Sequence, residues 1–252
     1  MVPGPVALFA AGRPLVAVWR NELGGTTFRV GAPAEAYVKW APAGSGLDLP
    51  AEAARLAWAG AATPVPEVLE EGASSEGSWM VTEALDGESA VAPRWRADPA
   101  TAVAAIGAGL RSLHDALAVE RCPFSWSVAE RKAAVMTRGS WDPTGWHAEH
   151  RSMGLAGAFA ALDDEPPVDR LVVCHGDACA PNTIVDPDGR WVGHVDLGAL
   201  GVADRWADLA VATWSCDWNY GPGWQDALLE AYGVTPDATR TAYYRLLWDL
   251  GP

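Results

Sequence analysis

The chain has 252 residues and a formal net charge of −14, a balance that argues against nucleic acid as a partner because phosphate backbones bind basic surfaces. Half of its residues are hydrophobic, which predicts a folded protein of one large domain or two lobes. No apolar run approaches the ~20 residues of a membrane-spanning helix, and no basic region precedes the apolar N-terminus as in a signal peptide. We expect a cytoplasmic protein without membrane contacts, as a monomer or weak dimer.

The acidic excess is greatest in the C-terminal part of the chain. From residue 142 to residue 252 there are 17 Asp and Glu against 6 Arg and no Lys. Such a surface attracts a polycation, although an acidic surface also serves solubility alone. The charge therefore permits a cationic ligand without requiring one.

A small sheet is predicted in the N-terminal third of the chain. Short runs of apolar and β-branched residues indicate strands at Leu15–Trp19, Thr26–Val30, Ala36–Trp40 and Trp79–Glu83. Apolar positions at helical spacing predict one helix, at Leu49–Gly60.

A glycine-bearing turn, Glu22-Leu23-Gly24-Gly25-Thr26-Thr27, separates the first two predicted strands. Adjacent glycines let a backbone approach a phosphate closely, and the hydroxyl groups can donate to it. A plain hairpin turn is the alternative interpretation.

Lys39 is the sole lysine before residue 100 and lies in an apolar strand. A lysine that points inward from such a strand needs an anionic partner. Glu52, early in the predicted helix, is the candidate, and the alternative is a Lys39 side chain that reaches solvent.

The remaining chain alternates helices with three short strands. Helical periodicity is clearest from Pro99 to Leu117, where His114 near the end is expected to be a structural residue. Strands are predicted at Leu171–Cys174, Thr183–Val185 and Trp191–Val195. The turn between the last two is Asp186-Pro187-Asp188-Gly189, in which Pro presets φ and Gly accepts a positive φ.

This hairpin organises a constellation of polar residues. Its two strands would bring Asn182 and Asp196 together, and an amide oxygen beside a carboxylate suits a hard cation such as Mg²⁺. Asp177 lies five residues before Asn182, where a carboxylate could orient an attacking hydroxyl in phosphoryl transfer.

The spacing Asp-x-x-x-x-Asn followed by Asp-x-Gly matches the catalytic loop and metal-binding Asp of protein kinases. His175-Gly176-Asp177, Asp196-Leu197-Gly198 and the string Arg121-Cys122-Pro123-Phe124 resemble the aminoglycoside phosphotransferase family of antibiotic kinases, especially its 3'-phosphotransferase branch. The resemblance implies an α+β, bilobal protein-kinase-like fold, with a small antiparallel β-sheet N-lobe at 1–84 and a mainly helical C-lobe at 85–252. The hinge is expected at about 82–87. The implied activity is ATP-dependent phosphorylation of a hydroxyl of a cationic antibiotic, with Mg²⁺.

The resemblance also implies roles for single residues. Asp177 would be catalytic, Asn182 and Asp196 would hold Mg²⁺, and His175 and Asp208 would support the catalytic loop. For Asp208 the alternative is a solvated helix carboxylate. The expected nucleotide contacts are Lys39, Glu52, Tyr37, Gly24, Gly25, Thr26 and the backbone of Thr82 and Ala84. The expected substrate contacts are the carboxylates of Asp142, Glu149, Asp217 and Asp249.

Two departures from the branch bear on the substrate. Ala199 stands where the branch usually carries Arg after Asp-x-Gly, and Trp248 replaces one acid of a C-terminal acidic pair. These differences favour a narrower or different range, such as streptomycin-type compounds or basic peptide antibiotics.

Two further interpretations stay open. A kinase of a metabolite such as choline, a fructosamine or homoserine would use the same constellation. A catalytically inactive binding module is the other, although the presence of Lys39, Asp177, Asn182 and Asp196 argues against it.

Overall fold

The computed structural model describes residues 2–137 and 142–251; Met1 and Pro252, the ends of the two predicted lobes, lie outside this part. The chain divides into two compact units. The first unit contains the chain up to Asp86 together with a returning segment, Val192–Gly198, and the second contains the remainder. The prediction divides the lobes between residues 84 and 85 and does not assign Val192–Gly198 to the first lobe.

The first unit is a five-stranded antiparallel sheet with two helices. The strand order is β1-β2-β3-β5-β4, so the predicted small antiparallel sheet is confirmed. The strands are β1 (Leu15–Arg20), β2 (Thr26–Val30), β3 (Ala36–Pro42), β4 (Val68–Ser74) and β5 (Gly77–Glu83), and the helices are α1 (Gly4–Ala10) and α2 (Leu49–Ala59).

One core cluster of the first unit lies between the sheet and α1, a helix that the sequence pattern does not predict. Val6 and Ala10 of α1 are buried with Phe28 and Val38 of the sheet. Pro5 lies in the first turn of α1, where a missing N–H leaves no hydrogen bond unmade. The opposite face of the sheet carries Lys39, whose partner Glu52 lies in α2.

The second unit is mainly helical, as predicted. The antiparallel pairs in it are β6 with β8 and β7 with β10. Its helices are α3 (Pro93–Arg96), α4 (Pro99–Ala116), α5 (Val128–Thr137), α6 (Ala148–Arg151), α7 (Gly154–Asp163), α8 (Trp206–Tyr220), α9 (Gln225–Tyr232) and α10 (Ala238–Asp249). Its strands are β6 (Glu88–Ser89), β7 (Leu171–Cys174), β8 (Thr183–Val185) and β10 (Gly201–Asp204).

Helix α4 supplies a large part of the core of the second unit. Its N-terminus is capped by Asp98, whose side chain accepts a hydrogen bond from the Thr101 amide at 3.4 Å. The predicted apolar face, which includes Ile106 and Leu110, is buried. The burial of this face fixes the rotation of α4 and places His114, on its last turn, in the interior.

The hairpin turn forms as predicted. The Gly189 amide donates to the Asp186 carbonyl at 3.0 Å, and the Asp186 amide donates to the Arg190 carbonyl at 2.9 Å. Strand β9 (Trp191–His194) follows and continues into the first unit. There the His194 amide donates to the Pro64 carbonyl at 3.3 Å.

The C-terminal end of α8 corrects one prediction. The sequence after Asp204 predicts a helix through about Trp214, with Asp217 after its end, but α8 continues to Tyr220 and contains Asp217.

Within residues 2–137 and 142–251, no helix combines the length and the apolar character needed to cross a bilayer.

Candidate active site

Lys39 contacts two carboxylates within the first unit. Its Nζ lies 2.5 Å from Oε1 of Glu52 and forms a second ion pair with Oδ1 of Asp196. Burial alone lowers the pKa of a lysine, but the two carboxylates outweigh this effect and raise the pKa of Lys39 to about 12. Lys39 is therefore a permanent positive charge. The structure places Glu52 beside it, and the nucleotide role of both residues stays a prediction.

Local structure explains how these groups meet. Lys39 lies in the middle of β3, opposite Met80 of β5. Helix α2 is capped by the Asp48 side chain, which places Glu52 in its first turn. Asp196 has a left-handed backbone with φ of +66°, so the chain turns sharply at this carboxylate.

The glycine turn is closed by Asn21, which the sequence analysis does not single out. The Asn21 side-chain oxygen accepts from the Gly25 amide at 2.8 Å, and its carbonyl accepts from the Gly24 amide at 3.2 Å. A Cβ at Gly25 would lie 2.5 Å from a methyl group of Leu47, so a side chain there would require Leu47 and Asn21 to move. Because both glycine amides are used inside the turn, phosphate contacts from Gly24, Gly25 or Thr26 stay a prediction.

The sheet face that carries Lys39 also carries Tyr37. Tyr37 lies opposite Thr82 of β5 and Arg29 of β2, and Arg29 lies opposite Val16 of β1. Directly opposed residues share a face of the sheet. Val16 is 45% exposed, and Arg29 separates it from Tyr37 on this face, so the stacking of Tyr37 on an adenine ring stays a prediction.

Ala84 follows β5, where the resemblance expects a backbone contact to adenine. Its amide donates to the Glu35 carbonyl at 3.1 Å. The contact of the Ala84 backbone with adenine stays a prediction. Thr82, the other expected contact, pairs with Tyr37 on one side and Val68 on the other.

The catalytic-loop segment in the second unit is held by Asp208. This residue lies in the first turn of α8 and is fully buried. Its Oδ2 accepts from the His175 amide at 2.6 Å, and its Oδ1 accepts from the Gly176 amide at 2.9 Å. Asp208 is thus not a solvated carboxylate, and its contacts are those expected of a brace for the loop.

Asp208 is anionic although it is buried. Burial alone raises the pKa of a carboxyl group, but hydrogen bonding to His114 and the Gly176 amide outweighs it and holds the pKa of Asp208 below its usual value. The Nε2 atom of His114 lies 2.9 Å from Oδ2 of Asp208. The loop is therefore held by a negative charge with three donors around it.

Asp177 and Asn182 are in direct contact at the end of this loop. The Asn182 amide nitrogen donates to the carbonyl oxygen of Asp177 at 3.0 Å and to its Oδ2 at 3.1 Å. Oδ1 of Asp177 is buried and receives no hydrogen bond of normal geometry from the described residues. Burial and the Asp177 charge raise the pKa of the Cys179 thiol well above its usual value. Asn182 thus fixes Oδ2 of Asp177 and leaves Oδ1 unfixed.

The four carboxylates that are predicted to contact the substrate differ in their exposure and in the hydrogen bonds that they already accept. Asp142 and Glu149 are exposed, and Asp142 caps a turn by accepting from the Thr144 amide at 2.9 Å. One oxygen of Asp217 accepts from Gln225 at 2.6 Å, and the other is buried without a donor among the described residues.

Asp249 is already fully hydrogen-bonded. Its oxygens accept from the His147 amide at 2.9 Å, from Nδ1 of His147 at 2.6 Å and from Nδ1 of His150 at 2.5 Å. An ammonium group would have to displace these donors, so Asp249 is the weakest of the four candidates.

Comparison with known proteins identifies the family. Residues 20–244, most of both units, match the family model described as the Phosphotransferase enzyme family. The chain belongs to this family.

The phosphotransferase has well-characterised relatives. It is 37% identical to the streptomycin 3''-kinase of Streptomyces griseus, covering 96% of this chain and 95% of the relative. It is 39% identical to an aminoglycoside 3'-phosphotransferase of Streptomyces fradiae, covering 82% of this chain and 81% of the relative. The aminoglycoside phosphotransferase APH(3'')-Id from Streptomyces rimosus has a TM-score of 0.77 at 29% identity, covering 97% and 95%. A second structure of that enzyme, with ADP and streptomycin, has a TM-score of 0.72 at 30% identity, covering 89% and 90%. The predicted family and fold class are confirmed.

Gly176 of the phosphotransferase is expected to tolerate no side chain. Its φ is +85°, and a Cβ would lie 2.2 Å from the carbonyl oxygen of Ala199. Gly176→Ala should therefore displace the loop from Asp208 and lower kcat at least ~100-fold, as small misplacements of catalytic groups do. Initial rates and circular dichroism would test this. Gly12→Ala is the matched control, because Gly12 has φ of +82° with nothing within 4 Å of a Cβ; equal rates for both variants would contradict the argument.

Three histidines of the phosphotransferase have roles that the sequence did not reveal. His114 bonds Asp208, and His147 and His150 bond Asp249. Each partner is about 100 positions away in the chain, so no local pattern could have indicated these pairs.

Proposed function

We propose that this phosphotransferase transfers the γ-phosphoryl group of ATP to a hydroxyl group of an aminoglycoside. The observation that carries the proposal is Lys39 of β3 paired with Glu52 of α2. A strand lysine held by a helix glutamate positions nucleotide phosphates in kinases. A relative of the same fold binds ADP together with streptomycin, which supports an adenine nucleotide as the donor.

The first unit would bind the nucleotide. Lys39 supplies a fixed positive charge for the phosphates, since its pKa is raised to about 12. Tyr37, on the same sheet face as Lys39, would stack on the adenine ring. The backbone of Thr82 and Ala84 would contact the edge of that ring.

Mg²⁺ is the metal that the family implies, and two side chains fit it. The Asp196 side chain is 45% exposed and gives one oxygen to Lys39, which leaves its second oxygen. The Asn182 amide nitrogen is used on Asp177, which leaves its oxygen as a ligand. Carboxylate and amide oxygens are the ligands that Mg²⁺ prefers. When bound, the metal would neutralise phosphate charge.

Asp177 would act on the accepting hydroxyl. Its Oδ1 is buried and lacks a hydrogen bond of normal geometry from the described residues, whereas Oδ2 is fixed by Asn182. A substrate hydroxyl that donates to Oδ1 would be oriented for attack and would lose its proton to this carboxylate.

The acceptor is proposed to be an aminoglycoside of the streptomycin type. The streptomycin 3''-kinase of Streptomyces griseus matches this chain over 96% of its length. The acidic C-terminal part of the chain, with 17 Asp and Glu against 6 Arg, suits a substrate with several cationic groups.

A substrate panel tests the proposal. ADP release would be measured with ATP and Mg²⁺ against streptomycin, an aminoglycoside with a free 3'-hydroxyl, a basic peptide antibiotic and choline, and products would be identified by mass spectrometry. Phosphorylated streptomycin is the expected product. Turnover confined to choline would favour a metabolite kinase, and absence of turnover with bound nucleotide would favour a binding module.

Asp217→Asn is expected to raise the KM for the aminoglycoside. The buried, undonated oxygen of Asp217 is the best placed of the four candidate carboxylates to gain an ammonium donor. A hydrogen bond between charged groups contributes ~1.5–3 kcal/mol, so KM should rise roughly 10-fold or more. The rise should shrink at high ionic strength because salt screens the attraction. Asp226→Asn, on the exposed side of α9, is the control; an equal KM change in both variants would exclude a specific role.

A further inference from the structure

His114 connects the catalytic-loop brace to a third buried residue. Its side chain is fully buried, with Nε2 2.9 Å from Oδ2 of Asp208 and Nδ1 2.9 Å from the hydroxyl oxygen of Tyr232. The three residues come from α4, α8 and α9 of the second unit. They form one continuous hydrogen-bonded chain from Tyr232 to the amides of the loop.

The charge of Asp208 sets the direction of the first hydrogen bond. Asp208 is an anion that can only accept, so His114 donates to it through Nε2–H. Nδ1 of the same ring is hydrogen-bonded to the Tyr232 hydroxyl at 2.9 Å. Burial raises the pKa of the Tyr232 phenol, so Tyr232 keeps its proton. The Tyr232 hydroxyl thus holds the ring with Nε2 directed at Asp208.

His114 is not free for other chemistry. Ligand atoms of His114, Cys174 and Asp208 lie within 4.8 Å of one another, a spacing that also suits a metal. Both His114 nitrogens and both Asp208 oxygens are already in hydrogen bonds. The Cys174 thiol donates to the Asp204 carbonyl at 3.4 Å, and burial raises its pKa well above the usual value. Hydrogen bonding therefore accounts for the close approach of these three side chains.

We propose that His114 is a positioning residue that orients Asp208, and through it the catalytic loop, with Tyr232 fixing the orientation of its ring. Oδ2 of Asp208 is shared between His114 and the His175 amide. Without His114 the carboxylate loses the contact that sets its rotation, and the two loop amides lose their fixed acceptor. The effect on turnover rests on the proposed function, because Asp177 directly follows these amides.

The expected kinetic signature is a loss of kcat with little change in KM. His114→Leu removes a hydrogen bond to a charged group and should lower kcat roughly 10- to 100-fold. Neither the proposed nucleotide contacts of the first unit nor Asp217, the acidic candidate on α8, is altered. Tyr232→Phe removes one neutral hydrogen bond and should lower kcat by roughly 3- to 10-fold.

Two variants separate positioning from simple destabilisation. His114→Gln keeps an N–H that can donate to Asp208 and should restore most of the lost kcat. Leu113→Ala removes a fully buried neighbour on the same helix. It should lower the melting temperature while leaving the kcat of the folded protein within roughly twofold, because Leu113 makes none of the side-chain hydrogen bonds of this chain.

Amide hydrogen exchange gives a readout that does not depend on any substrate. Exchange at His175 and Gly176, measured on the free enzyme, should accelerate at least ~10-fold in His114→Leu relative to Leu113→Ala, since these amides donate to Asp208. Tyr232→Phe should accelerate it less, and this variant serves if His114→Leu does not fold.

The outcomes distinguish the two proposals. Accelerated loop exchange with rescue by His114→Gln supports the positioning role even if the wild-type enzyme phosphorylates no aminoglycoside, a result that would overturn the proposed function alone. The positioning role would be overturned if loop exchange and kcat changed only in proportion to the fall in melting temperature, in the same way for Leu113→Ala and His114→Leu.

Discussion

Asp177→Asn is expected to reduce the kcat for aminoglycoside phosphorylation by about 10²- to 10⁴-fold, the range that a positioned general base contributes. Asparagine keeps the size of the side chain and its contact with Asn182, 3.1 Å in the wild-type protein. It lacks the charged oxygen that would accept the hydroxyl proton. Initial rates at saturating ATP would measure the loss, and calorimetric titration with ADP should show unchanged nucleotide affinity.

Asp188→Asn is the matched control for this variant. Asp188 lies in the turn after β8 and its side chain is 70% exposed, with an ion pair only to Arg190 among the described residues. Its kcat should stay within about twofold of wild type. An Asp177→Asn enzyme that turned over within tenfold of wild type would show that another group activates the hydroxyl.

Lys39→Met is expected to lower kcat by about 10²- to 10³-fold, the loss typical when one preorganised charge is removed from a developing anion. Methionine has a similar length and no charge, so phosphate charge would go unmatched. Glu52 and Asp196 would also lose their common cation, and their mutual repulsion should weaken nucleotide binding. Rates and ADP affinity would both be measured.

The second lysine of the chain provides the control. Lys132 donates to the Leu162 carbonyl at 2.8 Å and pairs with exposed Asp163 at 3.2 Å, so Lys132→Met should leave kcat and affinity within about twofold. Equal losses in both variants would contradict the assignment.

The ion pairs of Lys39 also predict how stability depends on pH. Because the pKa of Lys39 is raised from 10.5 to about 12, these ion pairs stabilise the fold fully below pH 10.5, and this stabilisation is lost as pH rises through 12. Any activity optimum near neutral pH must therefore come from other groups.

The strands around the site were predictable because turn signals bound them closely. Thr26–Val30, Leu171–Cys174 and Thr183–Val185 form at the predicted residues. Each is a short apolar or β-branched run that ends at Gly, Asp or Pro residues. The pairing of Lys39 with a helix carboxylate could also be expected, since a buried charge requires a partner.

Other elements were set by tertiary packing. Helix α8 was expected to end near Trp214, but Ser215 and Cys216 are buried and carry the helix to Tyr220. The poor helix propensity of these residues is overcome by burial. Strand β10 was missed because Gly201–Asp204 resembles a loop and helix cap; its pairing with β7 supplies the missing stabilisation.

The catalytic loop and the two exposed substrate candidates depend on different parts of the second unit. Loop geometry rests on Gly176, Asp208 and His114, which are buried and tolerate little change. Asp142 and Glu149 are exposed, where substitutions typically cost less than ~0.5 kcal/mol. Sequence change at these two positions is therefore uncoupled from the fold of the loop. Variants with an altered antibiotic preference could be selected there at little cost in stability.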